Sequence, residues 1–189
     1  MRPGAGFFAE IVGGEDPALV SEAADRAANL LVRGAHATDD PEVAERVLHL
    51  ADTQGIETIA EVWSGSPSDS LAGCLWRLFL LRSWVYADPA GVAREYDAGV
   101  TRAPVAQVVA GVADPPGPEE LKTMVDEVLR GIAASDFADV LFRAAAFARV
   151  VATGRAVLAE PTESDVQRML LLAEQLEAAG HEELAHGLS

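Results

Sequence analysis

Apolar residues recur three and four positions apart along most of this chain, the spacing that lines one face of a helix. No segment alternates apolar and polar positions for long enough to be a strand. VAQVVAGV at 105–112 comes nearest and reads as a short helix between helical neighbours. The pattern predicts helices over Pro17–Arg33, Pro41–Thr53, Ile56–Trp63, Pro67–Ala87, Pro89–Ala98, Pro104–Ala110, Pro118–Ala134, Phe137–Thr153 and Asp165–Ala179. Local chemistry supports the starts. Asp16-Pro17, Asp40-Pro41 and Asp88-Pro89 each set a capping carboxylate before a proline at the first helical position, where the missing N–H costs nothing. In Asp114-Pro-Pro-Gly-Pro118 the start moves to Pro118, with Glu119 and Glu120 against the positive end of the helix dipole. Ser66-Pro67 repeats the cap before the longest apolar helix, and Ser164 with Gln167 has capping-box spacing. Gly34, Gly55, Gly99, Gly111, Gly154 and Gly180 fall where helix stops are expected.

The most apolar stretch is LAGCLWRLFLLRSWVYADP, Leu71–Pro89. A membrane helix needs about 20 apolar residues, and each arginine near a bilayer centre costs about 2.5–3.5 kcal/mol. This run is short and holds Arg77 and Arg82, so it reads as the central helix of a bundle. Five residues apart, the two arginines point about 140° away from each other. Each must find an acceptor, because a buried unpaired charge is strongly destabilising. Asp88, Glu95 and Asp139 are the nearby acids. The alternative is that one arginine lines a pocket with Trp76, Trp84 or Tyr86 and holds an anionic ligand or an interface. Arg77, Arg82, Trp76, Trp84 and Tyr86 are therefore the candidate ligand or interface residues. Cys74 reads as a small buried hydrophobe.

Charge sharpens the picture. The 30 acids against 14 bases give −16 over 189 residues, a field that repels nucleic acid and anionic lipid alike. The segment from Leu71 to Val112 nets +1 and the remainder −17, so a near-neutral hub carries solvated acidic helices around it. Of the bases, Lys122 is the one lysine, which fits a GC-rich coding sequence. A single cysteine excludes an internal disulfide and points to a reducing cytoplasm. The opening MRPGAGFFAEIVGGED lacks a long apolar core, so residues 1–15 read as a flexible N-terminal arm, not a secretory leader. Residues 16–189 then form one domain.

Catalytic motifs are scarce. There is no phosphate-binding glycine loop. HEELAH at 181–186 is one residue too long for the zinc motif, which leaves its histidines about 140° apart. Glu45, His49 and Asp52 share a helix face and read as a solvated polar surface. Glu22 with Asp25 and Glu42 with Glu45 are weak metal candidates, since all-α magnesium-dependent pyrophosphohydrolases place acid-x-x-acid pairs on facing helices. Six such pairs occur in the chain, against about five from random placement. The order also departs from that superfamily, where E-x-x-E comes first. An acidic N-terminal half makes a poor groove reader for DNA.

WRLFLLRSWV (76–85), APVAQVVAGVADPPGPEEL (103–121) and AAAFARVVATG (144–154) together resemble an uncharacterised family of small all-helical proteins from high-GC bacteria, over residues 35–155. The resemblance implies cytoplasmic residence and adds no site residues. The expectation is a single-domain bundle of about eight to nine helices around the 67–87 helix, with no cofactor. Its leading function is a non-enzymatic interaction or regulatory protein that pairs with itself as a homodimer or with another protein, without nucleic acid or membrane. The last helix motivates the pairing: Val166, Met169, Leu170, Ala173 and Leu176 share one face, and Leu171 and Leu172 lie on another. The alternatives are a small-anion-binding helical protein and a magnesium-dependent nucleotide pyrophosphohydrolase-like enzyme.

Overall fold

The computed structural model describes residues 17–38, 62–103, 117–134, 136–158 and 163–188. Among these are six helices and no strand: α1 (Pro17–Thr38), α2 (Leu71–Ala87), α3 (Pro89–Val100), α4 (Pro118–Ala134), α5 (Phe137–Leu158) and α6 (Glu163–Ala185). The helices expected at 41–53 and 104–110, most of the one at 56–63, and the N-terminal arm lie outside the described residues.

Helix starts follow the capping chemistry closely. The Asp88 carboxylate accepts from the Gly91 amide at 2.9 Å and Pro89 opens α3. α4 begins at Pro118 with Glu119 and Glu120 in its first turn, and α5 begins at Phe137. The cap of α2 is displaced. Ser70, not Ser66, is the N-cap, and its hydroxyl accepts from the Gly73 amide at 3.1 Å. Residues 67–70 instead form a turn folded onto the helix, and a Cβ at Gly73 would collide with the Pro67 carbonyl. α6 starts at Glu163, which places Ser164 inside the helix.

The glycine stops are the main correction. α1 runs through Gly34, α3 through Gly99, α5 through Gly154 and α6 through Gly180. Packing explains three of them. A Cβ at Gly99 would overlap the Val150 carbonyl, and one at Gly154 would overlap the Glu95 carbonyl. The two glycines thus let the backbones of α3 and α5 touch. Gly180 takes the edge of the Phe142 ring. Nothing among the described residues explains Gly34, which has no described atom near its missing Cβ.

α2 touches each of the other five helices, as a central helix should. Leu71, Leu75, Leu78, Phe79, Leu81 and Val85 are all buried. α5 shares the centre, packing most extensively against α6 and α3. It is alanine-rich, and the small side chains at Ala144, Ala145 and Ala148 admit close neighbours. Tyr96 of α3 stacks on Phe147 of α5 at 5.6 Å between centroids. Trp63 stacks on Phe79 of α2 at 6.0 Å and donates from its indole N–H to the Ala24 carbonyl of α1 at 3.1 Å, tying α1 to the core. At the other end of α1, Arg33 grips Glu183 through both carboxylate oxygens at 2.5 and 2.6 Å and also donates to the Leu188 carbonyl. That hydrogen-bonded contact with Glu183 holds the Arg33 guanidinium above its ordinary pKa. No described helix is long and apolar enough to cross a membrane.

Candidate functional site

The 140° between Arg77 and Arg82 sends them to different neighbours. Arg82 faces α4. It is buried, and its Nε donates to Asp126 Oδ1 at 2.7 Å. Tyr86, one turn on, donates to Asp126 Oδ2 at 2.7 Å, and the Arg82 guanidinium lies over the Tyr86 ring at 4.1 Å. Lys122 approaches the same ring at 5.6 Å. The acceptor is therefore Asp126, not Asp88, Glu95 or Asp139. Asp88 is occupied as a cap, Glu95 holds Arg155, and Asp139 lies exposed in the first turn of α5. Arg82, Tyr86 and Asp126 make a structural cluster.

Arg77 faces α6. Its Nε donates to Gln175 Oε1 at 2.8 Å and its Nη1 to the Gly73 carbonyl at 2.8 Å. Both acceptors are neutral. Among the described residues no carboxylate lies within ion-pair distance of Arg77. Burial depresses its pKa from the ordinary arginine value, against the opposing pull of Cys74 and Asp69.

Arg77 lines a cavity of about 480 Å³ between α2 and α6, within the size range of small-molecule sites. Trp76, Leu80 and Trp84 of α2 form one wall, and Met169, Leu171 and Leu172 of α6 another. Two further arginines reach it. Arg155 of α5 lies with its guanidinium 4.5 Å from the Trp84 ring centre, and Glu95 of α3 binds it through two parallel hydrogen bonds of 2.9 Å. The Gly99–Gly154 contact sets that pair, because it brings the α3 backbone at Glu95 against α5 one residue before Arg155. Arg168 of α6 pairs with Asp165 three residues earlier on the same helix. The cavity continues toward a second one, about 570 Å³, that shares Leu171 and Gln175 but is lined by Asp69, Glu174 and Glu182.

Of the five candidates, then, Trp76, Arg77 and Trp84 meet at one cavity, whereas Arg82 and Tyr86 belong to the Asp126 cluster on the α4 side. Sequence reasoning missed Arg155, Arg168 and Gln175. Arg168 and Gln175 are seven apart on α6, a same-face signal, but it names no partner face. Glu22 and Asp25 both lie on α1, where Glu22 pairs with Arg26 at 3.2 Å, and Glu42 and Glu45 lie outside the described residues. Among the described residues no three His, Cys, Asp or Glu side chains gather at metal-binding distance. His181 meets the Phe142 ring edge-on at 5.0 Å. Cys74 is fully buried, and burial pushes its thiol up to about 12.

The fold and site define an all-α bundle carrying an arginine-and-tryptophan cavity between its second and last described helices. No family model, no curated protein and no solved structure matches the chain.

Proposed function

We propose that this chain is a regulatory binding protein, not a catalyst, and that it takes an organic anion in the cavity between α2 and α6 with Arg77 as the anchor. One observation carries the reading: Arg77 is half-desolvated, has only neutral hydrogen-bond acceptors among the described residues, and shares a cavity wall with two tryptophans. Elsewhere in the bundle, Arg33, Arg82, Arg149, Arg155 and Arg168 each meet a carboxylate. Among the described residues such a guanidinium has no carboxylate in ion-pair contact, only the more distant pull of Asp69, and its planar fork suits a carboxylate. The chain's overall negative charge does not forbid this, because salt screens exposed charges beyond about 8 Å at physiological ionic strength. Calorimetric titration with a panel of aromatic and aliphatic acids tests it. A binder is expected whose affinity falls about tenfold to a hundredfold in Arg77→Gln, the range for loss of a hydrogen bond to a charged group. A panel without any binder dependent on Arg77 overturns the reading.

Self-association is the second part of the proposal. Leu171 is 52% exposed and Leu80 38%; both line the cavity that holds Arg168, and Leu171 also lines the neighbouring one that holds Glu182. Leu172, expected on the same outer face as Leu171, is buried instead. A two-fold through Leu171 would set the basic half of one copy on the acidic half of the other. Sedimentation of Arg168→Glu, Glu174→Arg and the double variant tests it. Each single change is expected to weaken a dimer and the double to restore it. A monomer throughout the concentration series removes it.

The resemblance to helical proteins of high-GC bacteria and residence in the cytoplasm belong to the same proposal, and a lone cysteine that is buried and free supports the second. A magnesium-dependent phosphohydrolase has less support, since Arg26 already engages Glu22. Thermal stabilisation by millimolar magnesium, lost in Glu42→Gln, would revive it.

A further inference from the structure

We propose that the Arg77 cavity selects a singly charged ligand with a flat apolar body, an arene carboxylate in chemical class, and gains nothing from the second charge of a dicarboxylate or a phosphate ester. The inference rests on the reading that Arg77 anchors an anion, and it follows from how the three arginines are occupied. Arg155 has its fork closed by both oxygens of Glu95 and one face of its guanidinium over Trp84. Arg168 engages Asp165 within its own helix. Each of these charges is balanced by a carboxylate in contact with it. Arg77 alone is not: of its five N–H groups two go to neutral oxygens, Gln175 Oε1 and the Gly73 carbonyl, and three remain for an incoming acceptor. Among the described residues the cavity therefore offers one positive charge with no carboxylate in contact with it. A single carboxylate balances it. A second anionic group would lie against Leu81, Leu172 and Met169, or beside Asp165, where the cations at hand, Arg155 and Arg168, already hold carboxylates.

The apolar walls set the remainder of the ligand. Trp76 and Trp84 present large aromatic surface, and aromatic rings favour offset or edge contacts with a planar partner. Cys74 adds no covalent chemistry, because its thiol is fully buried and hydrogen-bonded to the Ser68 carbonyl at 3.6 Å. Charge selection here depends on Glu95, a residue outside the cavity wall, because Glu95 is what keeps Arg155 from serving a second anionic group.

Titration calorimetry of the full chain with four probes of one shape tests this: 2-naphthoate, 2-naphthamide, naphthalene-2,6-dicarboxylate and 2-naphthyl phosphate. Naphthoate is expected to bind at least tenfold tighter than the neutral amide, and Arg77→Gln to erase that margin. The dicarboxylate and the phosphate ester are expected to bind no tighter than naphthoate. In Glu95→Gln, with circular dichroism confirming the fold, the dicarboxylate should gain severalfold relative to naphthoate. A dicarboxylate or phosphate that outbinds naphthoate in the wild-type chain overturns the single-charge inference and leaves the anion reading standing, as does an unchanged ratio in Glu95→Gln. Equal binding of amide and acid, or silence from all four probes at millimolar concentration, overturns both.

Discussion

Arg82 of α2 and Asp126 of α4 are joined by a 2.7 Å ion pair that Tyr86 completes from the other carboxylate oxygen. The Arg82 side chain is 8% exposed and that of Asp126 19%. The pair therefore lies where removing one partner leaves a charge that water does not reach. Asp126→Ala is expected to destabilise the fold by about 3 kcal/mol, the lower end for a broken buried pair because Asp126 keeps some solvent. Tyr86→Phe should cost about 1 kcal/mol, one hydrogen bond. Replacing both charges together, Arg82→Met with Asp126→Leu, should recover most of the loss. Urea denaturation of the four proteins checks this, and equal losses in the single and double variants would contradict it.

Arg77 should behave in the opposite way. It is half-buried and its acceptors are neutral, so the folded state carries a desolvation cost that the pull of Asp69 offsets only in part. Arg77→Met keeps the apolar stem and removes the charge. Its stability should fall within about 1 kcal/mol of wild type or rise above it. The same denaturation series reads the outcome. A loss of the size seen at Asp126 would mean that Arg77 is a structural residue and not one held for a ligand.

The contrast between the two arginines also marks how far the sequence could be read. That the Leu71–Ala87 helix is central, and that its arginines point to different neighbours, followed from apolar content and a five-residue spacing. Which neighbours did not follow. Asp126 is 44 residues from Arg82 and Gln175 is 98 from Arg77, and helical periodicity says which face is apolar without saying which helix meets it. Starts at Pro89 and Pro118 were legible because caps and prolines are local chemistry. The stops at Gly99, Gly154 and Gly180 were misread for the converse reason: these glycines answer to another helix, and a lone sequence shows a glycine's freedom but not its neighbour. Trp76 and Trp84 were legible as site residues, whereas Arg155 became one only through the α3–α5 contact.

That contact gives a test by substitution. Gly154 lies against the Glu95 carbonyl and Gly99 against the Val150 carbonyl, and neither backbone can yield without moving a helix. Gly154→Ala should destabilise by about 3 kcal/mol, the upper range for overpacking, despite a gain of about 1 kcal/mol in helix propensity. Gly34→Ala is the control. Its Cβ meets no atom of the described residues, so the propensity term should raise stability by about 0.5–1 kcal/mol. Thermal melts of the two variants should shift in opposite directions. Parallel shifts would show that the close approach of α3 and α5 is not what holds Gly154.

Cys74 gives a pH-dependent prediction. Burial raises its thiol pKa from an ordinary value near 9.0 to about 12, partly countered by Arg77. The folded state thus holds the proton more tightly than the unfolded chain. This contribution is complete below about pH 9, where the thiol is neutral in both states, and is lost as pH rises from there through about 12. Other groups titrate in that range, so the quantity to follow is the difference between wild type and Cys74→Ala. At pH 8 the variant should be less stable by about 1 kcal/mol, for the small cavity it leaves. That gap should close by up to about 1.4 kcal/mol per pH unit above pH 9. The same burial should shield the thiol from an aromatic disulfide reagent at pH 8, so that labelling tracks global unfolding and accelerates with urea. Immediate labelling of the native protein, or a stability gap that stays constant from pH 8 to pH 11, would contradict a sealed Cys74 beside Arg77.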